Sequence, residues 1–143
     1  MISIRALRAD EYDRMIELWE KAALDYKPRG RDQRAHIERE IAGPNSVFLV
    51  AEEDSRMVGV VLGTHDGRKG WINRLAVAPE HRRQGIARAL VCAVEERLAT
   101  MGIGIVTCLI EDWNAESVKF FEAIGYVEHR EITYFAKRMN PDV

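Results

Sequence analysis

Six consecutive residues, Arg82-Arg83-Gln84-Gly85-Ile86-Ala87, bring together what a bound anion needs. The two arginines supply positive charge. Gly85 carries no Cβ and Ala87 only a methyl group, so the backbone at both can approach a ligand closely. Behind them the chain reads as a long amphipathic helix over residues 88–101, with apolar side chains at Ile86, Leu90, Ala93, Val94, Leu98 and Met101. The turn therefore falls at a helix start, where unpaired backbone N–H groups and the positive end of the helix dipole favour a phosphate. Ahead of it, residues 70–78 read as a short, nearly apolar strand, stopped by Pro79, which cannot continue a ladder. The bland alternatives are solvent-facing arginines and a glycine that caps the helix with no ligand.

The whole sequence is compatible with such a site on one soluble domain. Its 143 residues suffice to bury a core, and 47% hydrophobic with 31% charged residues describes an ordinary globular chain. A formal net charge of −2 argues against non-specific nucleic-acid binding. No apolar run reaches the ~18 residues of a membrane span, and the first residues show no secretory signal pattern, so a cytoplasmic location is expected. Cys92 and Cys108 are too few and too far apart for a disulfide scaffold or zinc site, and each falls in an apolar pattern as a small buried hydrophobe. His36, His65 and His129 lack metal-ligand spacing.

The elements that must position the turn follow from periodicity. Residues 2–6 alternate as a first strand; Asp10 can cap a helix carrying Tyr12, Met15, Ile16, Trp19, Ala22 and Ala23 on one face, ended by Pro28 and Gly30. A second helix spans 32–41 and stops at Gly43-Pro44. Between the helices, Lys27, Arg29, Arg31 and Arg34 form either a solvated basic loop or a contact for an acidic partner. Runs at 46–52, 57–64 and 71–77, separated by polar turns, make a three-stranded antiparallel meander. Residues 63–70 lack the order of a nucleotide P-loop. After the long helix, the continuous apolar run 105–110 predicts a buried parallel strand. A helix over 116–124, capped by Gly125, and a final hairpin of 126–127 with 132–136 complete the chain.

That order, with this central turn, resembles the GNAT superfamily of acetyl-CoA-dependent N-acetyltransferases over nearly the whole chain. The family signature Gln/Arg-x-x-Gly-x-Gly/Ala is matched by residues 82–87, preceded by Leu75-Ala76-Val77-Ala78-Pro79. Asn114 and the run Phe120-Phe121-Glu122-Ala123-Ile124-Gly125-Tyr126 resemble the second family block. The two-helix N-terminus is similar to small bacterial members near the ribosomal-protein alanine acetyltransferase group. The resemblance implies an α/β (α+β) fold: one domain over residues 1–143, a mixed, mostly antiparallel sheet of six to seven strands, about four helices, and a splay between the fourth and fifth strands.

It also implies the cosubstrate. Acetyl-CoA would rest its pyrophosphate on Arg82, Arg83, Gln84, Gly85, Ile86 and Ala87 and its pantetheine arm along Leu75, Ala76 and Val77, with Asn114 and Phe121 completing the site. Asn114 can equally cap the helix that follows it. A backbone N–H near Leu75 or Ala76 would face the thioester oxygen, and such donors are typically worth ~2.7–4 kcal/mol in the transition state.

The implied reaction is direct attack of a neutral amine on the thioester. A lysine ε-amine, pKa ~10.4, costs roughly 4–5 kcal/mol to deprotonate at neutral pH, an α-amine of pKa ~7.7–8 only ~1. Glu111 and Asp112 are the candidate bases, unless they form only an exposed acidic loop, and Asn73 can orient a water. Many relatives place a tyrosine where Phe121 stands, so the usual proton donor to the leaving thiolate is missing; Tyr126 and Tyr134 fit that position poorly. A thiol pKa of ~8.5 makes unassisted departure tolerable. His81 reads as a surface loop residue, Trp19 and Trp71 as core. Expected acceptors are a protein N-terminus, a lysine or a small-molecule amine, and the resemblance adds a homodimer. The rival reading, a non-catalytic acyl-CoA sensor or interaction module, rests on Phe121.

Overall fold

The structure, a computed structural model, describes all residues from Met1 to Val143. A five-stranded sheet runs in the order β1 (Ser3–Ala6), β2 (Ser46–Glu53), β3 (Arg56–His65), β4 (Gly70–Val77) and β5 (Val106–Cys108). The first four strands pair antiparallel and β5 joins β4 in parallel. Helices α1 (Tyr12–Lys21) and α2 (Arg34–Ala42) cover one face, α3 (Ile86–Thr100) and α4 (Ala115–Ala123) the other. The mixed, mostly antiparallel α/β fold is the one expected, with five strands in place of six to seven.

Alternation along β2 and β3 divides two cores. Val47, Leu49, Ala51 and Val61 pack with Leu90, Val91, Val94 and Leu98 of α3, whereas Phe48, Val50, Val60 and Leu62 pack with Met15, Trp19 and Ile37. Three glycines let α3 lie close to the sheet. A Cβ at Gly63 would sit 2.8 Å from Val94 Cγ1, and one at Gly70 2.5 Å from Leu98 Cδ1. At Gly59 it would meet Ile86 and Leu90 at 3.0 Å. This approach sets the start of α3 beside the end of β4.

Several boundaries differ from expectation. Asp10 lies in a 3-10 turn (Ala9–Glu11) and pairs with Arg8 rather than capping α1. Its neighbour Glu11 is buried instead, taking both guanidinium nitrogens of Arg5 at 2.8 and 2.7 Å and the Arg8 N–H at 2.9 Å. Strand β5 covers three residues of the expected six, and Ile105 and Leu109 on either side of it are exposed. The final hairpin does not form. In 127–131 the charges pair locally, Arg130 with Glu128 and His129 with Glu131, and the chain crosses to the α1–α2 loop. There Asp142 takes Arg29 at 2.9 Å, and its carbonyl lies 2.2 Å from where a Cβ of Gly30 would stand. A period of two shows that a segment can extend, not which edge it joins.

Candidate active site

The turn before α3 is built from backbone. After β4, Ala78 leads into a 3-10 turn (Pro79–His81); Arg82 is extended, then Arg83 (φ 64°) and Gly85 (φ 79°) both take the left-handed conformation before α3 begins. A non-glycine residue there is uncommon, and such strain gathers at ligand sites. The first α-helical bond of this end runs from Ala89 N–H to the Gly85 carbonyl. The six consecutive N–H groups from Arg83 to Arg88 consequently have no partner in the protein. Arg82, Arg83, Gln84 and Gly85 are exposed around them, and a Cβ at Gly85 would meet nothing within 4 Å. Packing does not require glycine here; a left-handed turn open to a ligand does. Free N–H groups in a concave turn at a helix start fit a pyrophosphate.

Beside this turn the sheet parts. Pairing between β4 and β5 ends at Ile72↔Cys108, so the edge of β4 from Asn73 to Val77 has no strand beside it. The parting coincides with a bulge. The β3–β4 register passes from Leu62↔Arg74 to Gly63↔Ile72, leaving Asn73 as the extra residue. The bulge changes the parity of the strand: Ile72, Leu75 and Val77 pack toward α3, and Ala76 toward α1. A gap flanked by free backbone groups, starting at a bulge and ending at an anion seat, is a slot for an extended arm with a phosphate at one end.

Side chains from distant segments furnish the opposite side. The bulge turns Arg74 toward α1 and α2, where its Nη2 donates to buried Asp32 Oδ2 at 2.8 Å. The same carboxylate oxygen accepts the Lys27 N–H at 2.7 Å, and the Asp32 carbonyl accepts the Tyr12 hydroxyl at 2.6 Å. Arg74 Nε is buried without a partner. Asn73 donates from Nδ2 to Thr64 Oγ1 at 2.7 Å. Of the basic loop, Arg34 pairs with Asp13 and stacks over Tyr12, while Arg29 holds Asp142, so much of its charge is spent within the chain.

The remaining candidates separate clearly. Glu111 and Asp112 are exposed and their carboxylates make no hydrogen bond or ion pair, although the Glu111 carbonyl accepts the Asn114 N–H at 2.9 Å. Asn114 Oδ1 accepts the Ser117 N–H at 3.2 Å, which is the capping role. Phe121 is 7% exposed and packs in the α3-side core, edge-on to Tyr126. Tyr126 donates to Glu95 Oε2 at 2.7 Å; burial, then that carboxylate, raise its pKa far above the ordinary phenol value. It is a poor proton source for a thiolate. Burial also lifts the Cys108 thiol, at the point where the strands part, to about 11. His81 is not a free surface residue: 15% exposed, it holds Glu53 Oε2 from Nε2 at 2.9 Å and ties the turn before the anion seat to the end of β2. Their 28-residue separation left no sequence signal for that tie.

A sheet parted between its fourth and fifth strands, with a turn of free N–H groups closing the gap, has the form suited to a CoA-thioester-using acyltransferase. The chain belongs to the acetyltransferase (GNAT) family, whose sequence profile matches residues 5–126, and it is an acetyl-CoA-dependent N-acetyltransferase. Acetyltransferase plu1384 of Photorhabdus laumondii is 33% identical over 142 residues, 99% of this chain and 98% of that one. Among solved structures, the PaiA N-acetyltransferase from Thermoplasma acidophilum, in complex with coenzyme A, superposes with a TM-score of 0.78 at 20% identity, over 87% of this chain and 89% of that one. The ribosomal-protein-S18-alanine N-acetyltransferase from Escherichia coli does so with a TM-score of 0.77 at 18% identity, over 90% and 79%. These two share the fold.

Proposed function

We propose that the chain moves the acetyl group of acetyl-CoA by direct attack of a primary amine, carried on a protein N-terminus, a lysine or a small molecule. The observation that carries this reading is the run of six unpartnered N–H groups beside the open edge of β4. Those groups and Arg82 and Arg83 hold the pyrophosphate, with Gln84, Gly85, Ile86 and Ala87 in the same turn. The β4 edge at Leu75, Ala76 and Val77 aligns the pantetheine amides. Bound acetyl-CoA supplies an activated carbonyl and a thiolate leaving group. A backbone N–H at Leu75 or Ala76 donates to the oxyanion as the amine adds. Asn73 orients a water, and Glu111 or Asp112 receives the proton the amine gives up. Asn114 steadies the arm from the α4 side while capping that helix, and Phe121 walls the slot with an apolar ring. The thiolate leaves without a phenol to protonate it. The enzyme works in the cytoplasm and pairs as a homodimer.

Phe121 also favours a second reading, a sensor that binds acyl-CoA without turnover. One experiment separates the two: thermal-shift titration with acetyl-CoA, paired with thiol release over an amine panel. Stabilisation with turnover is expected. Stabilisation with no turnover on any amine supports the sensor, and no stabilisation removes both.

A further inference from the structure

We infer that Glu53 and His81 are positioning residues for the acetyl donor: the bond between their side chains holds the turn of residues 82–85 in the shape that receives the pyrophosphate. This rests on the acetyl-transfer reading and adds what prepares its donor site before acetyl-CoA arrives. The segment is anchored at both ends and at one point between. Ahead of it, buried Ala78 donates its N–H to the Val58 carbonyl at 2.8 Å; behind it, Ile86 is buried at the start of α3. Across residues 79–85 every residue except His81 is exposed. The backbone bonds there are local: the His81 N–H to the Ala78 carbonyl at 2.9 Å and the Arg82 N–H to the Pro79 carbonyl at 3.4 Å.

Such a segment has little to keep it in a costly conformation. Arg83 stands at φ 64°, and a non-glycine residue persists there only where its surroundings over-determine it. The free N–H groups can share one anion only while that conformation lasts. His81 is the one side chain of the segment bonded outside it, from Nε2 to Glu53 Oε2 at 2.9 Å. Its Nδ1 is buried without a partner, and the Glu80 carboxylate, 3.9 Å away, is too far for a hydrogen bond. One bond therefore carries the tie.

Glu53 can serve as the fixed point because its own surroundings are rigid. It pairs with Arg56 across the β2–β3 turn, where Asp54 (φ 50°) and Ser55 (φ 64°) both take the left-handed form of a tight hairpin. Arg14 of α1 clamps that turn, its Nη2 donating to the Ser55 carbonyl at 2.9 Å. Loss of the tie lowers the fraction of molecules with the donor turn formed, so apparent donor affinity falls by that fraction while the chemistry is untouched.

The test sets acetyl-CoA against S-acetylpantetheine, which carries the same thioester and arm without the pyrophosphate, in thiol release with the fastest amine of the panel. Glu53→Ala should lower kcat/KM for acetyl-CoA about threefold to fivefold, through KM, the size of one hydrogen bond, and leave that for S-acetylpantetheine unchanged. Glu53→Gln keeps an acceptor oxygen and should recover most of the loss. His81→Phe removes the same bond from its other end and gives the same comparison if E53A does not fold. An equal loss with both donors, or no loss with acetyl-CoA, overturns the proposal while leaving acetyl transfer intact. If acetyl-CoA binds and no amine turns over, calorimetric titration of coenzyme A decides. Weaker binding in E53A that E53Q restores upholds the positioning without the reaction; equal binding overturns it, and no binding to the unmodified protein removes both readings.

Discussion

The two sides of the parted sheet are built by different means. The proposed donor side is a single stretch, residues 82–88, whose free groups are main-chain N–H. The proposed acceptor side is assembled from side chains far apart in the chain: Asp32 meets Arg74 across 42 residues, and Thr64 meets Asn73 across 9. A backbone site tolerates side-chain change as long as its φ angles survive, whereas a side-chain site is lost one residue at a time. This contrast explains how one fold can keep its acetyl donor while varying its acceptor.

Four substitutions probe the contrast, in decreasing order of expected effect. Glu11→Gln is the control that touches neither side. Glu11 is 1% exposed and braces β1, α1 and β2 through Arg5, so removing its charge should cost about 3 kcal/mol in urea denaturation. The Arg5 guanidinium, the leading cause, holds the Glu11 pKa at about 2 against an ordinary 4.5. Because the folded pKa is depressed, this stabilisation is complete above the unfolded value and is lost as pH falls through 4.5 toward 2. The gap between the two proteins should therefore narrow at pH 3.

Gly85→Val breaks the donor side. A β-branched residue at φ 79° is strained, and its side chain would point into open space, so the fold should persist. Acetyl-CoA affinity, read by calorimetry, should fall by about 2 kcal/mol, roughly thirtyfold. Unchanged affinity would show that the turn does not carry the pyrophosphate.

Arg74→Gln breaks the acceptor side. It releases Asp32 and the loop anchored by Lys27 and Tyr12, so KM for the amine should rise about tenfold with acetyl-CoA affinity unchanged. A fall in both affinities would erase the proposed division of labour.

His81→Phe sharpens the donor side. It keeps a ring but loses the Glu53 bond, so acetyl-CoA affinity should fall about threefold to fivefold, as for one hydrogen bond. The acceptor KM should not move.

Legibility in the sequence follows the same division. The turn at 82–87 could be read because every part of it is local: charge, a glycine, and a helix period that begins on the next residues. The strands and helices that frame it were legible from alternation and 3.6-residue spacing. The bulge left a signal in the adjacent polar residues Asn73 and Arg74 within an apolar strand, since strict alternation would not set two polar positions side by side. His81, by contrast, reads as a loop residue because its partner Glu53 ends another strand. The last hairpin was misread for a related reason. Residues 132–136 can extend, yet the tail is fixed by Asp142 on Arg29, a contact across 113 residues.

By itself, the sequence determined the family, the element order as far as α4 and a glycine-bearing turn at the start of α3, because each depends on residues within a turn or two of one another. Only the tertiary structure decided where β4 and β5 part, which way Arg74 faces, and that His81 ties to Glu53. Those features arise where separate segments meet, and the energy of such meetings depends on distances that a linear order of residues does not contain.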